Sequence, residues 1–134
     1  METVASSAEI TVLGWSVVLL LVQIFAQAST LRDLGTHYLA GPRDEPREPK
    51  NVLAGRLKRA LHNFLETYPA FIALALALAV TGKTGGLGAS GAWIWLIARA
   101  VYVVTYAAGI PMLRSIVWLV SLAGLIMMLI GLMA

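Results

Sequence analysis

The chain has no cysteine. Disulfides, thiolate metal sites and a cysteine nucleophile are therefore excluded, and any thiol chemistry must use a thiol brought by a substrate. Charge is scarce as well. Asp, Glu, Lys and Arg make up 13% of the 134 residues, and aromatics 8%. No basic side chain occurs before Arg32. A secretory signal opens with a positive segment, so the first apolar run reads as a retained span and not as a cleaved leader. What fills the chain instead is apolar: 59% of residues are hydrophobic and the mean hydropathy is +0.80. A soluble domain of this length does not carry so much apolar surface, so the composition describes an integral membrane protein.

Hydropathy divides the chain into spans at residues 10–31, 52–81, 86–110 and 112–133. They form one domain, an all-α antiparallel bundle of four transmembrane helices. The first has 22 positions without a formal charge, which is roughly 33 Å of helix and enough to cross a bilayer core. Gln23 and Gln27 lie on one face of it. An amide facing lipid is unfavourable, so that face is expected to pack on other helices. Residues 32–51 are polar and carry Pro42, Pro46 and Pro49, which cannot sit in a helix interior. Seven of the ten Lys/Arg residues lie between Arg32 and Arg59. Asp33, Asp44, Glu45 and Glu48 share that stretch, so it is no nucleic-acid arm. Its cationic excess places the loop in the cytoplasm and both termini on the opposite side.

The second span is the informative one. Its uncharged part, residues 67–81, has only 15 positions, and a span needs about 20. Counting back to His62 puts Asn63 and Glu66 at or just below the cytoplasmic interface, with Arg56 and Arg59 above it. Arg56, Arg59, Asn63 and Glu66 share one helical stripe. Pro69 is expected to kink this helix. A glycine-rich turn follows, then Trp93 and Trp95, which fit an interfacial aromatic belt.

Arg99, Tyr102 and Tyr106 are spaced i, i+3 and i+7, so they share a face of the third span. An arginine inside an apolar run marks a functional site by default, or else a structural pair with Glu66. If the outer turn is tight and the third helix begins near Gly85, Glu66 and Arg99 lie at one depth. If all of residues 82–91 is loop, they are offset by about 13 Å. Arg114 follows a Pro break at the start of the fourth helix, with Ser115 beside it. A cation there opposes the helix dipole, so an anion is expected nearby; the plainer alternative is a topological anchor. Together with His62, these residues suit a small anionic ligand from the cytosol next to an apolar wall open to lipid. No metal site is expected.

Two stretches resemble the membrane-associated proteins in eicosanoid and glutathione metabolism, a family that includes microsomal glutathione transferases and leukotriene synthases. One is Arg56-x-x-Arg59-Ala60-x-x-Asn63-x-x-Glu66-x-x-Pro69-x-Phe71. The other is Arg99-x-x-Tyr102-x-x-x-Tyr106 followed by Arg114-Ser115. The resemblance implies a homotrimer of four-helix subunits that binds glutathione as co-substrate between neighbours, with membrane lipid and a hydrophobic small molecule as its other partners. It implies that Arg59, Asn63, Glu66, Arg99, Tyr102 and Tyr106 hold glutathione, within a polar set that also contains Arg56 and His62. Arg114 and Ser115 would lie by the sulfur, where a cation favours the thiolate. The thiolate would attack a hydrophobic electrophile or reduce a lipid hydroperoxide. Some members carry an arginine near the end of the first helix, where this chain reads Gln27-Ala28-Ser29-Thr30. That departure motivates an alternative, a non-catalytic lipid-binding or scaffold protein on the same fold. A transporter ranks last, because the polar groups cluster at one end and line no full path.

Overall fold

The computed structural model describes residues 7–31, 41 and 52–134. Four helices order the described residues: α1 (Ala8–Ser29), α2 (Val52–Val80), α3 (Gly86–Ala108) and α4 (Pro111–Met133). Each is long and apolar enough to cross a membrane. The loop expected at residues 32–51 lies outside the described residues apart from Gly41.

Capping chemistry sets the ends, which depart from the hydropathy bounds by at most two residues. Ser7 precedes α1 and its hydroxyl accepts from the Ile10 N–H at 3.3 Å, while Glu9 places a negative charge in the first turn. Both favour a helix N-terminus. Helix α2 ends in a Schellman motif. Gly82 has a φ of 72°, and the Lys83 N–H reaches back to the Leu78 carbonyl at 2.9 Å. The same device closes α3 at Gly109, whose φ is 76°, with the Ile110 N–H on the Thr105 carbonyl at 3.1 Å. Pro111 then occupies the first turn of α4, where its missing N–H costs nothing. Helix α2 runs unbroken through Pro69.

The core is built by aromatic side chains of α2 and α3. Phe71 stacks on Trp95 with ring centres 3.9 Å apart, and Phe64 and Tyr68 flank the same indole at 5.5 and 5.9 Å. Trp95 is therefore core and not interfacial belt, a correction to the hydropathy reading; Trp93 keeps 40% exposure. The reason is rotational: position 95 lies on the buried α3 stripe with Ala92, Ala98, Arg99 and Tyr102. Helix α1 is fastened to this core by a buried bond of 2.9 Å between the Ser16 and Tyr68 hydroxyls.

Helices α3 and α4 pack through backbone. A Cβ placed on Gly91 would meet the Gly124 carbonyl oxygen at 2.5 Å, and one on Gly124 would meet that of Gly91 at 2.7 Å. In a membrane, where apolar burial gives helices little reason to associate, such close approach supplies dispersion contact. At the end of the bundle remote from Arg59, the buried Glu9 carboxylate accepts from the Gly85 N–H at 3.0 Å. Lys83 donates to the Leu132 carbonyl at 2.8 Å. These two contacts tie α1 and the end of α4 to the α2–α3 turn.

Candidate functional site

At the opposite, basic end, α2 begins, α3 finishes and α4 begins. Tyr106 is the point where they meet. The Arg59 Nε donates to the Tyr106 hydroxyl at 3.0 Å, and the Arg114 guanidinium carbon lies 4.7 Å from the centre of the same ring. Two cations from different helices thus hold one aromatic face and edge. Neither is paired with a carboxylate among the described residues. The short α3–α4 turn makes this possible, because Gly109 and Pro111 return the chain within a few residues and bring Arg114 back beside Tyr106.

Behind this pair the polar groups continue inward as a ladder. Tyr102 meets Tyr106 edge-on with centres 5.7 Å apart. The Arg99 guanidinium carbon lies 4.3 Å from the Tyr102 ring centre and 5.7 Å from that of Phe64. Arg99 is fully buried, and its Nε, Nη1 and Nη2 have no hydrogen-bond partner. The turn is the tight one, with α3 starting at Gly86, so Arg99 reaches the level of Phe64. Glu66 nevertheless makes no hydrogen bond to it within the subunit, since all three guanidinium nitrogens are unpaired.

The remaining expected residues are distributed differently. Arg56 turns to the end of α3: its Nη1 donates to the Ala107 carbonyl at 3.2 Å, where the helix dipole favours a cation. His62 and Glu66 are exposed on the surface of the lone subunit, while Asn63 is half-buried. The Asn63 Oδ1 is buried and unpaired, as is the Thr67 Oγ1 one turn further on. Ser115 donates its hydroxyl to the Pro111 carbonyl at 3.2 Å, which leaves its oxygen free to accept. The structure thus brings Arg59, Tyr106 and Arg114 together, with Tyr102 and Arg99 behind them. It does not join Arg56, His62, Glu66 or Ser115 to that set by a bond.

Gln23, on the α1 face expected to pack on other helices, is almost completely buried, with both amide atoms unpaired. One feature was missed in the sequence reading: an apolar groove of about 490 Å³ between α1 and α3, lined by Trp15, Val18, Val22, Trp93 and Leu96 among others. Its α3 residues lie roughly a third of a turn around the helix from the Arg99–Tyr106 stripe. Among the described residues no group of His, Asp and Glu could hold a metal.

A family model described as the MAPEG family matches residues 12–134. The chain belongs to the MAPEG family. The match runs from within α1 to the end of α4 of this MAPEG protein, the Tyr106 cluster included. No curated protein and no solved structure matches the chain. Membership fits a glutathione-related function in the membrane, and the four apolar helices fit a multi-pass integral membrane protein.

Proposed function

We propose that this MAPEG protein binds glutathione at its basic end and activates the thiol as thiolate for conjugation to a hydrophobic electrophile or for reduction of a lipid hydroperoxide. The observation that carries the reading is the pair of uncompensated guanidinium groups on Tyr106. Arg59 and Arg114 are held apart from any carboxylate of the described chain, in a molecule with few charges to spare. Such a site attracts an anion, and glutathione offers two carboxylates and, once deprotonated, a sulfur anion. Arg114, at the mouth of α4, stabilises the thiolate. Arg59 holds a carboxylate, and the acceptor side of Ser115, the exposed His62 and the half-buried Asn63 line the approach. Arg99 and Tyr102 orient Tyr106 from behind, and Arg56 fixes the end of α3. In conjugation the sulfur lone pair forms the new S–C bond, and the displaced group leaves with the bonding electrons.

The site is completed by association of subunits. Glu66 is exposed on the lone subunit within an apolar helix, only two residues from the buried Phe64. A carboxylate facing lipid is expensive, so this face is covered by a neighbouring copy. In a homotrimer of the kind the family resemblance implies, such a face would lie between subunits, with Glu66 free to meet the glutathione amino group. The basic end lies in the cytoplasm by the positive-inside rule, and both termini lie opposite.

The test is a glutathione titration of the detergent-purified protein, followed by thiolate absorbance and by conjugation to a chlorodinitrobenzene. Thiolate formation with turnover is the expected result. Absence of both at saturating glutathione would sink the catalytic reading. A second reading, lipid binding without catalysis, draws on the apolar groove between α1 and α3. It predicts lipid retention without any glutathione-dependent rise in thermal stability.

A further inference from the structure

The apolar groove is not used by the chemistry at Tyr106. Its walls are Trp15, Val18 and Val22 of α1 facing Trp93, Leu96 and Ala100 of α3. The two helices run in the same direction, and the bond from the Gly85 N–H to Glu9 sets their starts at one level. Glu9 and Lys83 carry charge at this end of the bundle, so that level is the headgroup layer. Trp15 and Trp93 then lie about 9 and 12 Å below it, and Val22 and Ala100 about 20 and 23 Å below it. Half a bilayer with its headgroups is roughly 20 Å thick. The groove therefore opens at two indoles just under the headgroups, follows the acyl layer of one leaflet and ends near the mid-plane. Ala100 is still about 9 Å short of Tyr106 along α3, so a molecule seated here does not reach the two cations.

Helix rotation decides what covers the groove. Ser16 of α1 and Trp95 of α3 both point at α2, through the Tyr68 hydroxyl and the Phe71 ring. On α1, Trp15, Val22 and Val18 lie about 100°, 120° and 160° around from Ser16; on α3, Leu96 and Ala100 lie about 100° and 140° around from Trp95. Helix α4 meets α3 at Gly91, on the other side of Trp95. The groove thus opens away from both α2 and α4. A neighbouring copy drawn to Glu66 packs on α2, on the far side of the α1–α3 pair. What remains in front of the groove is bilayer.

We propose that this groove is a specific site for one acyl chain of a phospholipid from the leaflet remote from Tyr106. Its volume of about 490 Å³ is in the range that encloses one small ligand, and its walls offer the chain only apolar surface. The indoles of Trp15 and Trp93, 56% and 40% exposed, present N–H donors at the mouth, where the ester carbonyls of a phospholipid lie. The chain does structural work. Among the described residues α1 is fastened by two polar contacts, Ser16 to Tyr68 and Glu9 to Gly85. In lipid, further association rests on dispersion contact, and an acyl chain wedged between Val18 and Leu96 supplies it along the length where α1 and α3 part. The site does not rest on the glutathione reading.

The experiment uses the full-length protein, delipidated in detergent and titrated with dioleoyl phosphatidylcholine. The expected result is a saturable rise in Tm, because a ligand of the native state stabilises it by occupancy, with one retained phospholipid per subunit in native mass spectra. Val18→Phe combined with Ala100→Leu fills the groove with apolar side chains at exposed positions and should abolish the saturable response. Val120→Phe, exposed on α4, should keep it. Trp15→Phe and Trp93→Phe retain a ring and lose a donor, so each should weaken lipid binding by roughly two- to tenfold. Because the chain has no cysteine, Val22→Cys carries a single thiol, and under oxidation it should form no disulfide between subunits. The proposal is overturned by a Tm indifferent to phospholipid, by a response unchanged in the filled variant, by saturation with cholesterol in place of phospholipid, or by an efficient Val22→Cys cross-link, which would make a second copy the occupant. A protein that takes up the lipid but does not bind glutathione would refute the reading at the basic end and leave this one standing.

Discussion

The Arg114 guanidinium lies 4.7 Å from the centre of the Tyr106 ring, although the two residues belong to different helices. The Schellman turn at Gly109 and the proline that starts α4 create this neighbourhood. With Arg59 on the hydroxyl of the same tyrosine, one ring gathers two cations from different helices.

Removing one cation should therefore affect chemistry more than binding. Arg114→Ala is expected to lower turnover roughly ten- to hundredfold, in the range lost when one charge-stabilising donor is deleted. The glutathione dissociation constant should change less. Steady-state conjugation kinetics with parallel equilibrium binding check the split, and Arg114→Lys should recover part of the rate.

Tyr106→Phe keeps the ring and deletes only the acceptor of the Arg59 bond. The side chain of Arg59 is then free to swing, and glutathione affinity should fall by up to about tenfold, the weight of one hydrogen bond to a charged group. Calorimetric titration measures it. An affinity equal to that of the parent would show that Arg59 needs no such anchor.

Gly91→Ala places a methyl group 2.5 Å from the Gly124 carbonyl. The α3 and α4 backbones must separate, at a cost of about 1–3 kcal/mol for an overpacked contact. The control is Gly14→Ala, where a Cβ meets nothing within 4 Å and replacement in a helix interior should stabilise by roughly 0.5–1 kcal/mol. Thermal unfolding in detergent should move in opposite directions for the two variants.

Glu9→Leu leaves the Gly85 N–H without its carboxylate acceptor at the end of the bundle remote from Tyr106. The expected loss is about 1–3 kcal/mol for an orphaned buried donor, with glutathione affinity unchanged. Hydrogen exchange at Gly85 and Gly86 reports the opening, and a protected Gly85 amide would contradict it.

Much of this architecture follows from local properties. Four apolar runs, the Gly82 and Gly109 stops and the Pro111 start are written in single turns of chain, so hydropathy and capping place the helices to within two residues. The face shared by Arg99, Tyr102 and Tyr106 follows from helical spacing alone. Even the depth of Arg99 was one of two arithmetic cases, and the five-residue link between Val80 and Gly86 selected the tight one.

The polar stripe of α2 shows where such reasoning stops. Arg56 and Arg59 are one turn apart on a common face, yet Arg59 engages Tyr106 while Arg56 caps the end of α3. Trp95 reads like a belt residue and is core. Gln23 reads like a helix contact and is buried with its amide unsatisfied. The sequence by itself determined the class, the number of spans and the family, because dehydration energy and helix periodicity are properties of short stretches. Only the tertiary structure decided which cations face Tyr106 and which lie sealed inside. That depends on the rotation and register of each helix against its neighbours. Packing between backbones as close as Gly91 and Gly124, and one hydroxyl bond from Ser16 to Tyr68, set both.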